Sequence, residues 1–467
     1  MQRKFKSLLS ARIGVSWLEC YQVRPCSIGS YVDHGPTTRK VLSGWMFGEF
    51  KGWIAAVQSL IRKFSRSCLG GAAFAKGLVF AFATLGLAFA CVAAQPLEIR
   101  IGYLHEAASR VKISLMDIPA ANDGLAGAQL AIEDNNTTGR FIAHEYKLID
   151  VELGRDEDPT SAAKALADQG AMLVVTSVSA DRLLKAADAG KARGQIFLNA
   201  AATDERLREG DCRANIVHIA PTRSMLADGL AQYLVWKKWR KWFLIAGSHD
   251  SDKLFADALR HSAVRFGAKI VAERQFEDSG GARRTDSGVA EIQRQMPVLT
   301  QGAPDHDVLV AADESEVFAG YLPYRTWDAR PVAGSAGLVP TTWNMAFDQW
   351  GAIQLQNRFR KAFQRFMTPL DMQVWTATRI VGEAAARINS GESSKLFEYI
   401  KSPGFSVAAF KGQKLTLRDW NQQLRQPILL FDGRNTVSIS PQEGFLHQVS
   451  ELDTLGLDRP ETKCKFN

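Results

Sequence analysis

AMLVVTSVSADRLLKAADAGKARGQIFLNAAAT, residues 171–203, holds two short apolar runs on either side of a helical pattern. Ala171 to Ser177 predicts a strand that is apolar at nearly every position, as a strand must be when both of its faces are covered. Ala180 to Arg193 predicts a helix stopped by Gly194, and Gln195 to Ala200 a second strand. Strand, helix and strand in this order form a crossover unit with parallel strands and a right-handed connection.

The same alternation continues on both sides. Upstream, Glu98 to Leu104 reads as a strand. A helix capped by Asp123 runs to about Asn136, with Leu125, Ala128 and Ile132 on one face and Gly139 after its end. Tyr146 to Leu153 is the next strand, and Asp158-Pro159 opens a helix that stops at Gly170, with Asp as N-cap and Pro in the first turn. Downstream of Pro221, Thr222 opens a helix to about Lys238. Trp242 to Ala246 is a strand, Asp252 to Phe266 a helix ended by Gly267, and Lys269 to Arg274 and Asp307 to Ala312 are strands. Glu277 to Gly288 reads as an exposed loop from its Gly, Ser and charged residues. Ala346 to Phe366 and Met372 to Asn389 predict two long helices split by Thr368-Pro369, and the chain is strand-like again from Ser406. Two α/β units of similar size imply an α/β fold of two lobes with doubly wound parallel sheets and a cleft.

With 467 residues, the chain has room for two or three domains, and its net charge of +8 raises the question of nucleic acid. Residues 1–94 hold 12 Lys/Arg against 3 Asp/Glu, and the remaining 373 hold 45 against 46. The basic excess therefore lies in the leader, and a nearly neutral remainder excludes a nucleic-acid-binding protein. The mixed run YLVWKKWRKWFLI, residues 233–245, reads as a helix end with Trp packed inward and Lys237, Lys238, Arg240 and Lys241 in water. No metal-ligand spacing and no nucleophile elbow with its Ser, His and acid occurs, so the chain is expected to be no enzyme and to carry no cofactor or metal.

Between Lys51 and Leu97 there is no acidic residue. Arg62, Lys63, Arg66 and Lys76 precede an apolar run from Gly77 to Ala94 that closes on Val92-Ala93-Ala94. This order of basic, apolar and small residues predicts an export signal at about residues 72–94, following an over-extended start for which Met46 is a candidate. A membrane anchor and a lipid anchor on Cys91 are the competing readings; the Ala and Gly content and the peptidase-like end favour the signal. Four of the six cysteines lie in the leader, which leaves Cys212 and Cys464 as an even pair able to form a disulfide or to stay as two buried thiols.

DGLAGAQLAIEDNNTTGR, then YKLIDVELGRDEDPTSAAKALADQGAMLVV, then GQIFLNAAATDERLR resemble the periplasmic substrate-binding proteins of branched-chain amino acid ABC transporters. The likeness continues through HIAPTRSMLADGLAQYL, WFLIAGSHDSDKLFADALR and DVLVAADESEVFAGY to MQVWTATRIVGEA. The stretch LTLRDWNQQLRQPILLFDGRNTVSISPQEGFLHQVSELDTLGLDRPETKC looks like a branch found alongside pyrroloquinoline quinone-dependent alcohol dehydrogenase systems. The resemblance implies a type I periplasmic binding fold: lobe 1 from 95–221 plus 332–415, lobe 2 from 222–331 plus 416–467, and a three-strand hinge between them. It also implies a monomeric periplasmic protein that traps a small polar organic solute and hands it to an inner-membrane permease. The alternative is a sensor or accessory factor of the dehydrogenase system.

In doubly wound sheets, ligands sit beyond the carboxyl ends of the strands. The residues there are Ser177, Ser179, Asn199, Ala201 and Thr203 in the first unit and His249, Asp250, Asp313 and Glu314 in the second, and these are the candidate solute contacts. The resemblance implies a ligand-binding backbone carbonyl at Ala201 and a hydroxyl at Thr203. Helix capping competes for Ser179 and Thr203, and a solvated pair of acids competes for Asp313 and Glu314. Where the relatives place Tyr in a Tyr-Gly motif this chain has Leu254-Phe255.

Overall fold

The computed structural model describes residues 96–106, 118–278 and 286–466. The leader, the export signal, Cys91 and most of the stretch from Glu277 to Gly288 lie outside the described residues.

The first sheet has five parallel strands in the order β2-β1-β3-β4-β5: β1 Leu97–Glu106, β2 His144–Leu153, β3 Leu173–Ser177, β4 Ile196–Asn199 and β5 Ile216–His218. Its helices are α1 Leu125–Ile142, α2 Pro159–Asp168 and α3 Ala180–Lys191. Alternate strand residues face opposite cores, as a period of two requires. Ile99, Ile101, Tyr103, Val175 and Leu198 join the core under α1, while Leu104, Val174 and Phe197 join the one under α2 and α3. The apolar runs are covered on both faces, and α2 is capped as its sequence predicts, with Asp158 accepting from the Thr160 N–H.

The chain leaves this sheet through Pro221. α4 Arg223–Trp236, β6 Lys241–Gly247, α5 Asp250–Phe266, β7 Lys269–Phe276, α6 Asp286–Thr300, β8 Val308–Ala312, α7 Leu322–Arg325 and β9 Val332–Gly334 build the second lobe. Its parallel sheet runs β7-β6-β8-β9. Trp242, Leu244 and Val310 pack toward α4 and α5; Phe243, Ile245 and Leu309 pack toward α6 and α7. The return to the first lobe, expected at residue 332, comes after Gly334, because β9 pairs with β8. α6 falls partly in the stretch expected to be an exposed loop.

β10 Val339–Thr341 follows, then α8 Ala352–Phe363, α9 Pro369–Ile388, α10 Ser393–Lys401, a hairpin of β11 Val407–Ala408 and β12 Lys414–Leu415, and the pair β13 Ile428–Phe431 and β14 Thr436–Ser440. β10, β13 and β14 form an antiparallel sheet. The third connecting strand runs beside the first, where Leu424 donates to the His218 carbonyl and His218 to the Gln422 carbonyl. These passages give two Rossmann-like lobes joined by three connections.

Three helices have boundaries that differ from expectation for local reasons. α1 is capped at Gly124 rather than at Asp123, and the Gly124 N–H donates 2.8 Å to Asp371. It runs past Gly139, which packs against the His144 backbone where a side chain would collide. The helix expected from Ala346 starts only at Ala352, because Trp350 and Gly351 both have positive φ, 50° and 85°. α9 begins at Pro369 under a capping box of Thr368 and Asp371, three residues before the expected Met372.

The last turns of the chain are fastened by Arg418. It is buried, pairs with Asp453 at 2.9 Å and donates to the carbonyls of Leu452 and Leu455. Cys464 is joined to Cys212 across a separation of 252 residues. No helix among the described residues is long and apolar enough to cross a membrane.

Candidate functional site

In the first sheet the strand order reverses between β1 and β3, which places a crevice beyond their carboxyl ends. A cavity of about 640 Å³ occupies that place. It is lined by the end of β1 (Tyr103, His105, Glu106), the end of β3 and start of α3 (Ser177, Ser179), the loop after β4 (Ala201, Thr203), and Asp123 ahead of α1. From the second lobe it takes Arg223, the first residue of α4.

Each group is held by its neighbours. Tyr103 donates its hydroxyl to Ser177 Oγ at 3.0 Å, which leaves the Ser177 hydrogen for another acceptor. Burial holds the Tyr103 phenol well above its usual range. His105 lies stacked on Tyr103 and bonds Asp150 at 3.1 Å. Glu106 Oε1 accepts from the Ser179 N–H at 3.0 Å and from its hydroxyl at 3.2 Å. Ser179 thus occupies the N-cap position of α3, but its hydroxyl turns to Glu106 instead of capping the helix. Asp123 accepts from the Thr368 hydroxyl at 2.5 Å, and burial together with the nearby Asp371 raises its carboxyl above the usual range.

The loop after β4 is shaped from behind. Asn199 is buried and lies outside the lining; its Oδ1 accepts from the Ala201 and Ala202 N–H groups at 3.2 and 2.9 Å, and its Nδ2 donates 2.8 Å to the Ala202 carbonyl. Arg208, also buried, donates to the Ala202 and Asp204 carbonyls at 2.8 and 3.1 Å, to the Ala220 carbonyl at 2.7 Å and to Gln423 at 2.9 Å. One guanidinium therefore ties the site loop to two of the connecting strands. Thr203 caps no helix: the N-cap of the following 3₁₀ turn is Asp204, and the Thr203 carbonyl accepts from the Arg223 N–H at 3.2 Å.

The second-lobe candidates follow β6 and β8, where that sheet reverses its own order. His249 caps α5 and bonds Asp278 at 2.8 Å, and Asp250 is exposed beside it; neither lines the cavity. Asp313 is buried and spends its carboxylate on the N–H groups of Val317, Phe318 and Ala319, at 2.7–2.9 Å. Glu314 reaches the site only through Arg223, which holds it with three bonds of 2.8–2.9 Å. Burial raises the Glu314 carboxyl, and the guanidinium offsets part of that rise. Ser177, Ser179, Ala201 and Thr203 are thus brought together, and Asn199, His249, Asp250, Asp313 and Glu314 stand behind or away from the lining.

Sequence reasoning missed Tyr103, Glu106, Asp123 and Arg223. Arg223 carried a signal: a cation in the first turn of a helix opposes the helix dipole and calls for a carboxylate nearby. Glu106 ends β1, in the position where ligands gather in such sheets.

Architecture and cavity together define a type I periplasmic binding fold. Residues 98–297 match the family model described as periplasmic binding protein. A branched-chain amino acid ABC transporter periplasmic ligand-binding protein of Burkholderia xenovorans shares the fold at 17% identity, with a TM-score of 0.60 over 78% of this chain and 99% of the other. The branched-chain amino acid transporter substrate-binding protein of Streptococcus pneumoniae, solved with isoleucine, superposes at 15% identity and TM-score 0.56 over 73% and 99%. An ABC transporter substrate-binding protein of Desulfitobacterium hafniense, solved with Leu, does so at 18% and 0.54 over 72% and 98%. No curated protein matches the chain in sequence.

Proposed function

We propose that the chain is the solute-binding component of an ABC transporter, which traps a small polar organic solute between its lobes and presents it to an inner-membrane permease from the periplasm. The observation that carries this reading is the cavity of about 640 Å³ at the strand ends of the first lobe, closed on one side by Arg223 of the second. A solute there has hydroxyls at Ser177 and Thr203 to replace its water, and the Arg223–Glu314 pair stands where the second lobe meets the first. Closure follows when a solute binds the closed form better than the open one. The chain works as a monomer without catalysis, exported by the signal near residues 72–94. The resemblance of the C-terminal stretch supports a solute connected with alcohol oxidation by a pyrroloquinoline quinone-dependent dehydrogenase.

A thermal-shift screen of amino acids, amines, alcohols, aldehydes, acids and pyrroloquinoline quinone tests the reading. One class should raise the melting temperature in a saturable way. A chain that answers to none of them and copurifies with the dehydrogenase is an accessory factor instead.

A further inference from the structure

The start of α3 offers free N–H groups that ordinarily attract an anion. In this chain the place is filled from within. The Ser179 N–H and hydroxyl both bond Glu106 Oε1, and Arg182 of the same helix stands 3.6 Å from that oxygen. Glu106 itself lines the cavity, so a ligand carboxylate brought to this helix start meets a carboxylate already seated there.

The remaining lining has the same sign. Its described residues carry five carboxylates, Glu106, Asp123, Glu152, Asp181 and Asp204, against the guanidiniums of Arg206 and Arg223. Both guanidiniums are committed. Arg206 bonds Asp181 at 2.5 Å and Asp211 at 2.9 Å, and Arg223 bonds Glu314. Among the described residues, Glu152 has no ion-pair partner, and the side chain that bonds Asp123 is the neutral hydroxyl of Thr368. In a partly enclosed site such charges act through a lower dielectric than water and favour a cation.

An independent observation concerns a donor. Arg223 is 6% exposed and lines the cavity, yet its Nη1 has no hydrogen-bond acceptor among the described residues; Asp204 Oδ2 lies 3.6 Å from it. A buried guanidinium N–H without an acceptor is costly, and an oxygen of the solute can supply one.

The geometry points to a small organic cation as the solute: an amine that also carries a hydroxyl or other neutral oxygen, its ammonium against Glu106 and Asp123 and its oxygen toward Arg223 Nη1. Glu106 is then a specificity-determining residue that turns carboxylates away from α3. This rests on the solute-trap reading and names the substrate class of that site.

Leucinol, isoamylamine, leucine and isovalerate share one isobutyl group and separate the amine, hydroxyl and carboxylate contributions; ethanolamine, choline and putrescine extend the cations. Thermal shift and calorimetry on the full exported chain at pH 7 should show the amine cations binding, the amino alcohols most tightly, and leucine and isovalerate at least tenfold more weakly than leucinol. Glu106→Gln keeps an acceptor for the Ser179 N–H while removing the charge, and it should weaken amine binding at least tenfold. Where this variant does not fold, the series on the unaltered protein decides. Leucine or isovalerate binding as tightly as leucinol, a neutral or anionic compound binding where no amine does, or unchanged amine affinity in a folded Glu106→Gln overturns the proposal and leaves the trap standing. Binding by no class of compound overturns both.

Discussion

Arg223 Nε lies 2.9 Å from each carboxylate oxygen of Glu314 and its Nη2 lies 2.8 Å from Oε2, so one residue in the first turn of α4 clamps the loop that follows β8. Its own N–H donates to Thr203 of the first lobe. The near-lobe loop, the first connecting strand and the far lobe therefore meet at a single residue.

Removing one half of a buried pair leaves the other half charged and unpaired. The side chains here are 8% and 26% exposed, so the full cost of a dry interior does not apply. Arg223→Ala should lower stability by about 2–3 kcal/mol in urea denaturation, and Glu314→Gln by less. Arg223→Met with Glu314→Gln should recover most of the loss. A single variant as stable as the parent would show the pair to be ornamental.

The lobes were legible because strands such as Leu173–Ser177 are apolar on both faces and because Asp158-Pro159, Thr222 and Gly267 sit at helix ends, where their chemistry is local. The near-lobe lining of the cavity was legible for a similar reason: Ser177, Ala201 and Thr203 follow strands. The far half was not. Asp313 turns inward because three N–H groups of its own loop bind it, and Glu314 is claimed by an arginine 91 residues earlier in the chain. Neither partner can be read from neighbouring sequence. The extra turn of α1 escaped notice because Gly139, which resembles a helix stop, serves a close approach to β2.

Lys411 gives a pH signature. It is buried, donates to the Thr342 carbonyl and lies 5.4 Å from the centre of the Trp343 ring. Burial lowers its amine to about 7 from an ordinary 10.5. Between those values the unfolded chain binds the extra proton, so this group makes stability rise with pH from about 7 to 10.5. Below that window the buried charge is a constant cost. Lys411→Met should flatten the rise and stabilise the protein at pH 6 by about 1–3 kcal/mol. Urea titrations at several pH values check it; identical profiles for parent and variant would contradict it.

The Cys212–Cys464 bridge closes a loop of 252 residues, and Glu209 accepts from the Lys463 N–H at 2.9 Å beside it. Cys464→Ser, or reduction, should cost about 2–5 kcal/mol and free the last residues to proteolysis. Non-reducing peptide mapping followed by calorimetry reads both effects. Two freely alkylated thiols in exported protein would count against the bridge.

Thr203 lines the cavity without capping a helix, and its hydroxyl bonds no other described residue. Thr203→Ala should therefore change stability by less than about 0.5 kcal/mol while weakening solute binding by about 1–3 kcal/mol. Calorimetry with any compound that stabilises the parent separates the two effects. A lowered melting temperature with unchanged affinity would make Thr203 structural.

Small-angle X-ray scattering, with and without each compound that raises the melting temperature, tests the trap itself. The two lobes should close on such a compound and the radius of gyration should fall, and Arg223→Ala should bind more weakly and close less. A compound that binds tightly at Ser177 and Thr203 while the scattering curve stays unchanged would contradict a protein that works by closing on its solute.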